Sequence, residues 1–184
     1  MLPGVKYNID TVDTNGKPLE PRENAVKFIR QCGVLVRDAL PISAQLWKKS
    51  AKDEPGVTFV DERAKENLWG ELISHFTLAD HFTEKQREKV KKHALQKMAI
   101  AFNNHKKTIW ADYLKADKKT PEFAGTLEKQ RPHWDDFVKF KESELAKERS
   151  RQNKINAAKK LWHHTLGPVA TRWPCLSGIK LSKG

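Results

Sequence analysis

Between Thr83 and Pro121 the chain runs for 37 residues without a glycine or a proline. Thr83-Glu-Lys-Gln86 opens that run with capping-box spacing, in which the hydroxyl accepts from the third backbone amide and the glutamine side chain returns the bond. Val90, Ala94, Leu95, Met98, Phe102, Ile109, Trp110 and Tyr113 then recur at three- and four-residue steps, so one amphipathic helix is expected from residue 83 to about 114. A helix of that length needs other helices to cover its apolar stripe, and the chain offers them. Ala25, Phe28, Ile29 and Cys32 form a stripe starting near Glu23 that ends or bends at Gly33 or continues to Pro41. Ala64, Leu68, Trp69, Leu72, Ile73 and Phe76 form another, capped by Asp61. A short helix is expected over residues 43 to 49, presenting Leu46 and Trp47.

Strand signals are sparse. Val5, Tyr7 and Ile9 alternate with polar residues ahead of Asn15-Gly16, a pair that favours a tight turn, which predicts a small hairpin over residues 5 to 19. The expected fold class is mainly α: a small helical domain with a long C-terminal helical arm and a short N-terminal β-hairpin. The expected order is an extended segment or hairpin over residues 1 to 20, a helical core over 21 to 115, a linker over 116 to 131, a basic helical arm over 132 to 166 and a flexible tail over 167 to 184. In the arm, Pro132 suits a first helical turn and Trp134, Phe137, Val138, Phe140 and Leu145 supply an apolar patch. Beyond Leu145 the stripe thins.

Charge is divided along the chain. Residues 1 to 82 hold 11 Lys/Arg against 12 Asp/Glu, a net of −1, whereas residues 83 to 184 hold 24 against 11, a net of +13. An unneutralised positive field of that size attracts polyanions, and nucleic acid is the commonest of these in a cell. The long helix carries Lys85, Arg87, Lys89, Lys91, Lys92, Lys97, Lys106 and Lys107 opposite its apolar stripe, with Asn103, Asn104 and His105 among them. Lysines supply phosphate contacts and amides can read base edges, so residues 85 to 107 form the first candidate interface. Arg149, Arg151, Lys154, Lys159 and Lys160 on the arm form the second. The expected partner is nucleic acid, in particular double-stranded DNA. The alternative is a protein-interaction or self-association module in which residues 132 to 166 pair with a protein partner or a second copy, although their apolar seam is short for a coiled coil.

Enzymatic signals are weak, and the expectation is a non-catalytic protein with no cofactor and no metal. The acid pairs Asp53-Glu54, Asp61-Glu62 and Asp135-Asp136 fall in a loop or in first helical turns, where they favour the helix dipole. His163, His164 and Cys175 lack a fourth zinc ligand and close-spaced pairs, and no phosphate-cradling glycine loop occurs. Trp47, Trp69 and Trp110 sit on apolar stripes and are expected in the core rather than on a base-stacking platform, while Trp134 and Trp162 are candidates for anchoring the arm. Cys32 and Cys175 make no disulfide framework, residues 1 to 10 lack the apolar run of a secretory signal, and no stretch is long and apolar enough for a membrane span. A soluble nuclear or cytosolic protein with no membrane partner is therefore expected.

Several spaced residues also carry a resemblance. Gly33-Val-Leu-Val-Arg37-Asp38-Ala-Leu-Pro41-Ile42, then Trp47, Leu68-Trp69, Phe76, Trp134, the Ser150-x-x-Asn153-x-x-Asn156 run and His164-x-x-Gly167 resemble the plant transposase-associated family of the En/Spm (CACTA) type over residues 15 to 167. Phe102 stands where that family commonly has tryptophan, and Pro168-Val-Ala-Thr replaces the serine- and lysine-rich residues it has after Gly167. The resemblance implies origin in a plant transposable element and association with DNA, and it does not imply strand-cutting activity. The rhythm of the helical segment is also similar to trihelix or Myb-like domains, in which spaced tryptophans hold three helices together.

Overall fold

The structure, a computed structural model, describes residues 4–49, 56–115 and 120–159. The fold is mainly α, with helix in 66% of it and a few short strands. In chain order the elements are β1 (Tyr7–Ile9), β2 (Thr11–Val12), β3 (Pro18–Glu20), α1 (Arg22–Ala39), α2 (Glu62–Ser74), β4 (Phe76–Leu78) and α3 (Glu84–Ile109). A π-helical turn (Trp110–Lys115), a 3-10 segment (Gly125–His133), α4 (Trp134–Glu142) and α5 (Glu144–Ala158) follow. One compact unit extends to Lys147 and a second begins at Glu148.

Three helices meet around one core. Phe28, Cys32 and Val36 of α1, Leu68 and Leu72 of α2, and Val90, Ala94, Met98 and Phe102 of α3 are all buried there. Gly33 does not end α1. It lies on the side facing α3, where a Cβ would stand an ordinary 3.9 Å from that of Ala101. Trp47 and Trp69 pack half-buried against this core, and Trp110 packs against a second cluster formed by Ile42, Ile109, Trp134 and Phe137, so these tryptophans are structural. Burial pushes the Cys32 thiol up to about 12, leaving it protonated and inert.

Five expectations about local structure need correction. Tyr7–Ile9 is not a hairpin arm. It pairs in parallel with Phe76–Leu78, and the hairpin is the shorter β2–β3 pair. Phe76 extends the α2 stripe in sequence, yet α2 stops at Ser74 and Ile9, Phe76 and Leu78 enter the core from strands. Residues 43 to 49 form no helix, because the Gln45 and Leu46 amides donate to the Thr58 carbonyl and Leu46 bridges to Phe59. Nor do residues 120 to 131 read as a free linker: Gln130 is 2% exposed, accepts from the Ile42 amide at 3.0 Å and donates to the Leu40 carbonyl at 3.1 Å. Burial of Trp134 and Phe137 likewise places the start of the expected arm inside the first unit.

The β2–β3 turn locks onto α3. Gly16 has φ of +82°, and a Cβ there would overlap the backbone of Lys89 and Val90. Gly16→Ala combines a disfavoured backbone conformation with that clash and is expected to lower the unfolding free energy by roughly 2 kcal/mol or more. A denaturant midpoint unchanged from wild type would show that the turn does not rest on α3.

Candidate nucleic-acid interface

The geometry of α3 starts with its cap. Thr83 Oγ1 accepts from the Gln86 amide at 3.3 Å and Gln86 Oε1 accepts from the Thr83 amide at 2.9 Å, as the sequence predicts. Burial of Val90, Ala94, Met98, Phe102 and Ile109 then fixes the rotation of the helix about its axis. With the rotation fixed, Lys85, Lys89, Lys92, Gln96, Ile100, Asn103 and Lys107 fall on the opposite stripe at steps of four and three residues. Lys85, Lys92, Gln96, Asn103 and Lys107 are exposed, and Ile100 is 54% exposed. At 1.5 Å per residue the stripe is about 33 Å long. It contains no acid; Glu84 and Glu88, the acids of α3, lie to its side in the first two turns.

Several cations expected on this face have other occupations. Lys106 is the clearest correction, because it is 5% exposed and its Nζ donates to the Ala44 and Gln45 carbonyls, both at 2.8 Å. Its ammonium also lies 4.0 Å from the centre of the Phe102 ring. Desolvation, with a smaller contribution from Lys141, pushes its pKa down to about 7. Arg87 is half-buried and donates to the Ala79 carbonyl at 3.0 Å and the Phe82 carbonyl at 3.3 Å, bracing the turn between β4 and α3. Lys89 donates to the Thr14 carbonyl at 2.8 Å and so holds the hairpin turn, and Lys91 pairs with Glu66 at 2.7 Å. His105 is half-buried; burial first, and Arg37 second, lower its pKa, so it is neutral near pH 7. Asn104 is exposed on the flank of the stripe.

The second candidate cluster lies on α5, which buries no side chain. Arg151 makes two 2.8 Å bonds to Glu148, a pairing that lowers the carboxylate pKa and raises that of the guanidinium. Lys154 and Lys159 are exposed, Arg149 is half-buried, and Lys160 lies outside the described residues. So do the expected tail, Trp162, His163, His164, Cys175 and the acids Asp53 and Glu54. The other acid pairs are found in first turns, where Asp61 caps α2 by accepting from the Ala64 amide at 2.6 Å. Among the described residues no group of three or more His, Cys, Asp and Glu side chains is placed to hold a metal ion, and no helix is long and apolar enough to cross a membrane.

Compared with family models, with curated proteins and with solved structures, the chain matches none. The resemblance to the En/Spm-type family therefore has no match behind it, and the functional reading rests on the α3 stripe alone.

One contact was not legible in the sequence. Ser43 Oγ lies 3.3 Å from His133 Nδ1 beside a groove of about 710 Å³ lined by Pro41, Gln45, Thr58, Phe59, Asp136 and Phe140. Ninety residues separate the two, and no local pattern signals the meeting.

Proposed function

We propose that this chain is a non-catalytic module that binds double-stranded DNA through the outer stripe of α3. The observation that carries the reading is the exposed, acid-free row of Lys85, Lys92 and Lys107 with Gln96 and Asn103 between them. Lysines of this kind neutralise phosphates and release condensed counterions, which supplies most of the affinity, while the amides face the bases. Lys154 and Lys159 add cationic charge of the same sort on α5. A nuclear site of action accompanies this reading. The alternative, pairing through residues 132 to 166, has less support because Trp134 and Phe137, the large apolar side chains it would use, are already buried internally.

Lysine acylation with and without a mixed-sequence duplex, read by mass spectrometry, tests the proposal. Lys85, Lys92 and Lys107 are expected to lose reactivity when DNA is bound, whereas Lys6 and Lys48, exposed in segments outside α3, keep theirs. Unchanged reactivity at all three α3 lysines in the presence of saturating duplex would remove α3 as the contact face.

A further inference from the structure

The centre of the α3 stripe differs chemically from its ends. Lysines occupy the ends at positions 85, 89, 92 and 107, whereas Gln96, Ile100 and Asn103 occupy the middle. Ile100 is the most exposed large apolar side chain among the described residues, at 54%. A single exposed isoleucine is ordinary on a protein surface. Here, however, it sits between two exposed amides, on a line whose charges suit only an anionic partner.

We infer that Gln96, Ile100 and Asn103 read A·T base pairs in the major groove of duplex DNA, with Ile100 packed on a thymine methyl group. The inference rests on the proposed DNA-binding role of α3 and deepens it. Glutamine and asparagine amides match the N6 donor and N7 acceptor of adenine, and an aliphatic side chain matches the C5-methyl that marks thymine in that groove. The three residues span seven positions, about 10 Å along the helix, which is roughly the rise of three base pairs. Lys92 and Lys107 lie one turn beyond either end of this reading set, where phosphates flank the groove. The A-form major groove of duplex RNA is too deep and narrow for such side chains, so the chemistry commits to DNA.

Selection of a randomised duplex pool by the full chain tests this, followed by titration of the enriched site with deoxyuridine in place of each thymidine. The enriched sites are expected to share A·T pairs, and loss of one methyl group should weaken wild-type binding about three- to fivefold. Ile100→Ala should lose a similar factor on the thymidine site and become indifferent to deoxyuridine. Because Ile100 is exposed, the variant should fold as wild type does, which its thermal transition would check. Salt-sensitive binding with no enrichment, or with G·C enrichment, would overturn the inference and leave DNA binding standing. Persisting deoxyuridine sensitivity in Ile100→Ala would also overturn it. Absence of any duplex binding, or capture of an acidic protein in place of DNA, would remove both the inference and the proposed function.

Discussion

Lys106→Ala is expected to lower the unfolding free energy by about 2 to 5 kcal/mol, a large share of the roughly 5 to 15 kcal/mol that holds a domain together. The variant strands the carbonyls of Ala44 and Gln45, which accept from Lys106 Nζ, and opens a void beside Phe102. Lys106→Met restores the volume without the donors and should cost about 1 to 3 kcal/mol, which separates the hydrogen-bonding loss from the cavity. The wild-type clamp also has a pH signature. Burial lowers the Lys106 pKa to about 7 from an ordinary value of 10.5, so between those limits the unfolded chain binds the extra proton. Stability therefore rises with pH above 7 and falls as pH drops toward 7, and both variants should flatten that slope between pH 7 and 8.5. The neutral amine still has two hydrogens for its two carbonyls, so the clamp survives deprotonation. Urea denaturation at several pH values measures all of this; a loss below 1 kcal/mol in Lys106→Ala would show that the 44–45 segment is held by something else.

The second large effect concerns binding. Replacing Lys85, Lys92 and Lys107 together by alanine removes three exposed charges, and duplex affinity near 0.1 M salt should fall roughly 10²- to 10³-fold. Folding should be almost untouched, since exposed substitutions away from special contacts cost within about 0.5 kcal/mol and alanine favours helix. That contrast distinguishes the outer stripe from Lys106, whose loss acts on stability. Fluorescence anisotropy with a labelled duplex, beside a thermal melt of each protein, reads both quantities.

What could be seen in the sequence follows from how local each determinant is. The α3 cap and stripe, the α2 cap at Asp61 and the packing of Trp69 and Trp110 against apolar clusters depend on neighbours within a turn or two and appear where the pattern places them, whereas Trp47 meets the core from a segment that is not helical. The parallel pairing of Tyr7–Ile9 with Phe76–Leu78 joins segments nearly 70 residues apart, and nothing in either segment names the other. Residues 43 to 49 have a helical rhythm, but Thr58 and Lys106 supply the partners for their backbone groups, so distant bonding overrides local preference. The candidate site shows the same division. The helix carrying the basic face was legible, whereas the fates of individual cations were not: Arg87, Lys89 and Lys106 bond to carbonyls of remote or looped segments that only the folded chain brings near. Exposure of Ile100 at the centre of the stripe depends on the rotation of α3 against its neighbours, which the folded core fixes.

The most direct test of α3 as a phosphate-contacting face is the dependence of duplex affinity on salt, measured side by side for the wild-type chain and the Lys85/Lys92/Lys107 triple alanine variant. Each neutralised phosphate contributes about 0.9 to the slope of log affinity against log salt, so the variant's slope should be shallower by roughly 3. Identical slopes in the two proteins would mean that these lysines meet no phosphate, whatever else the chain binds.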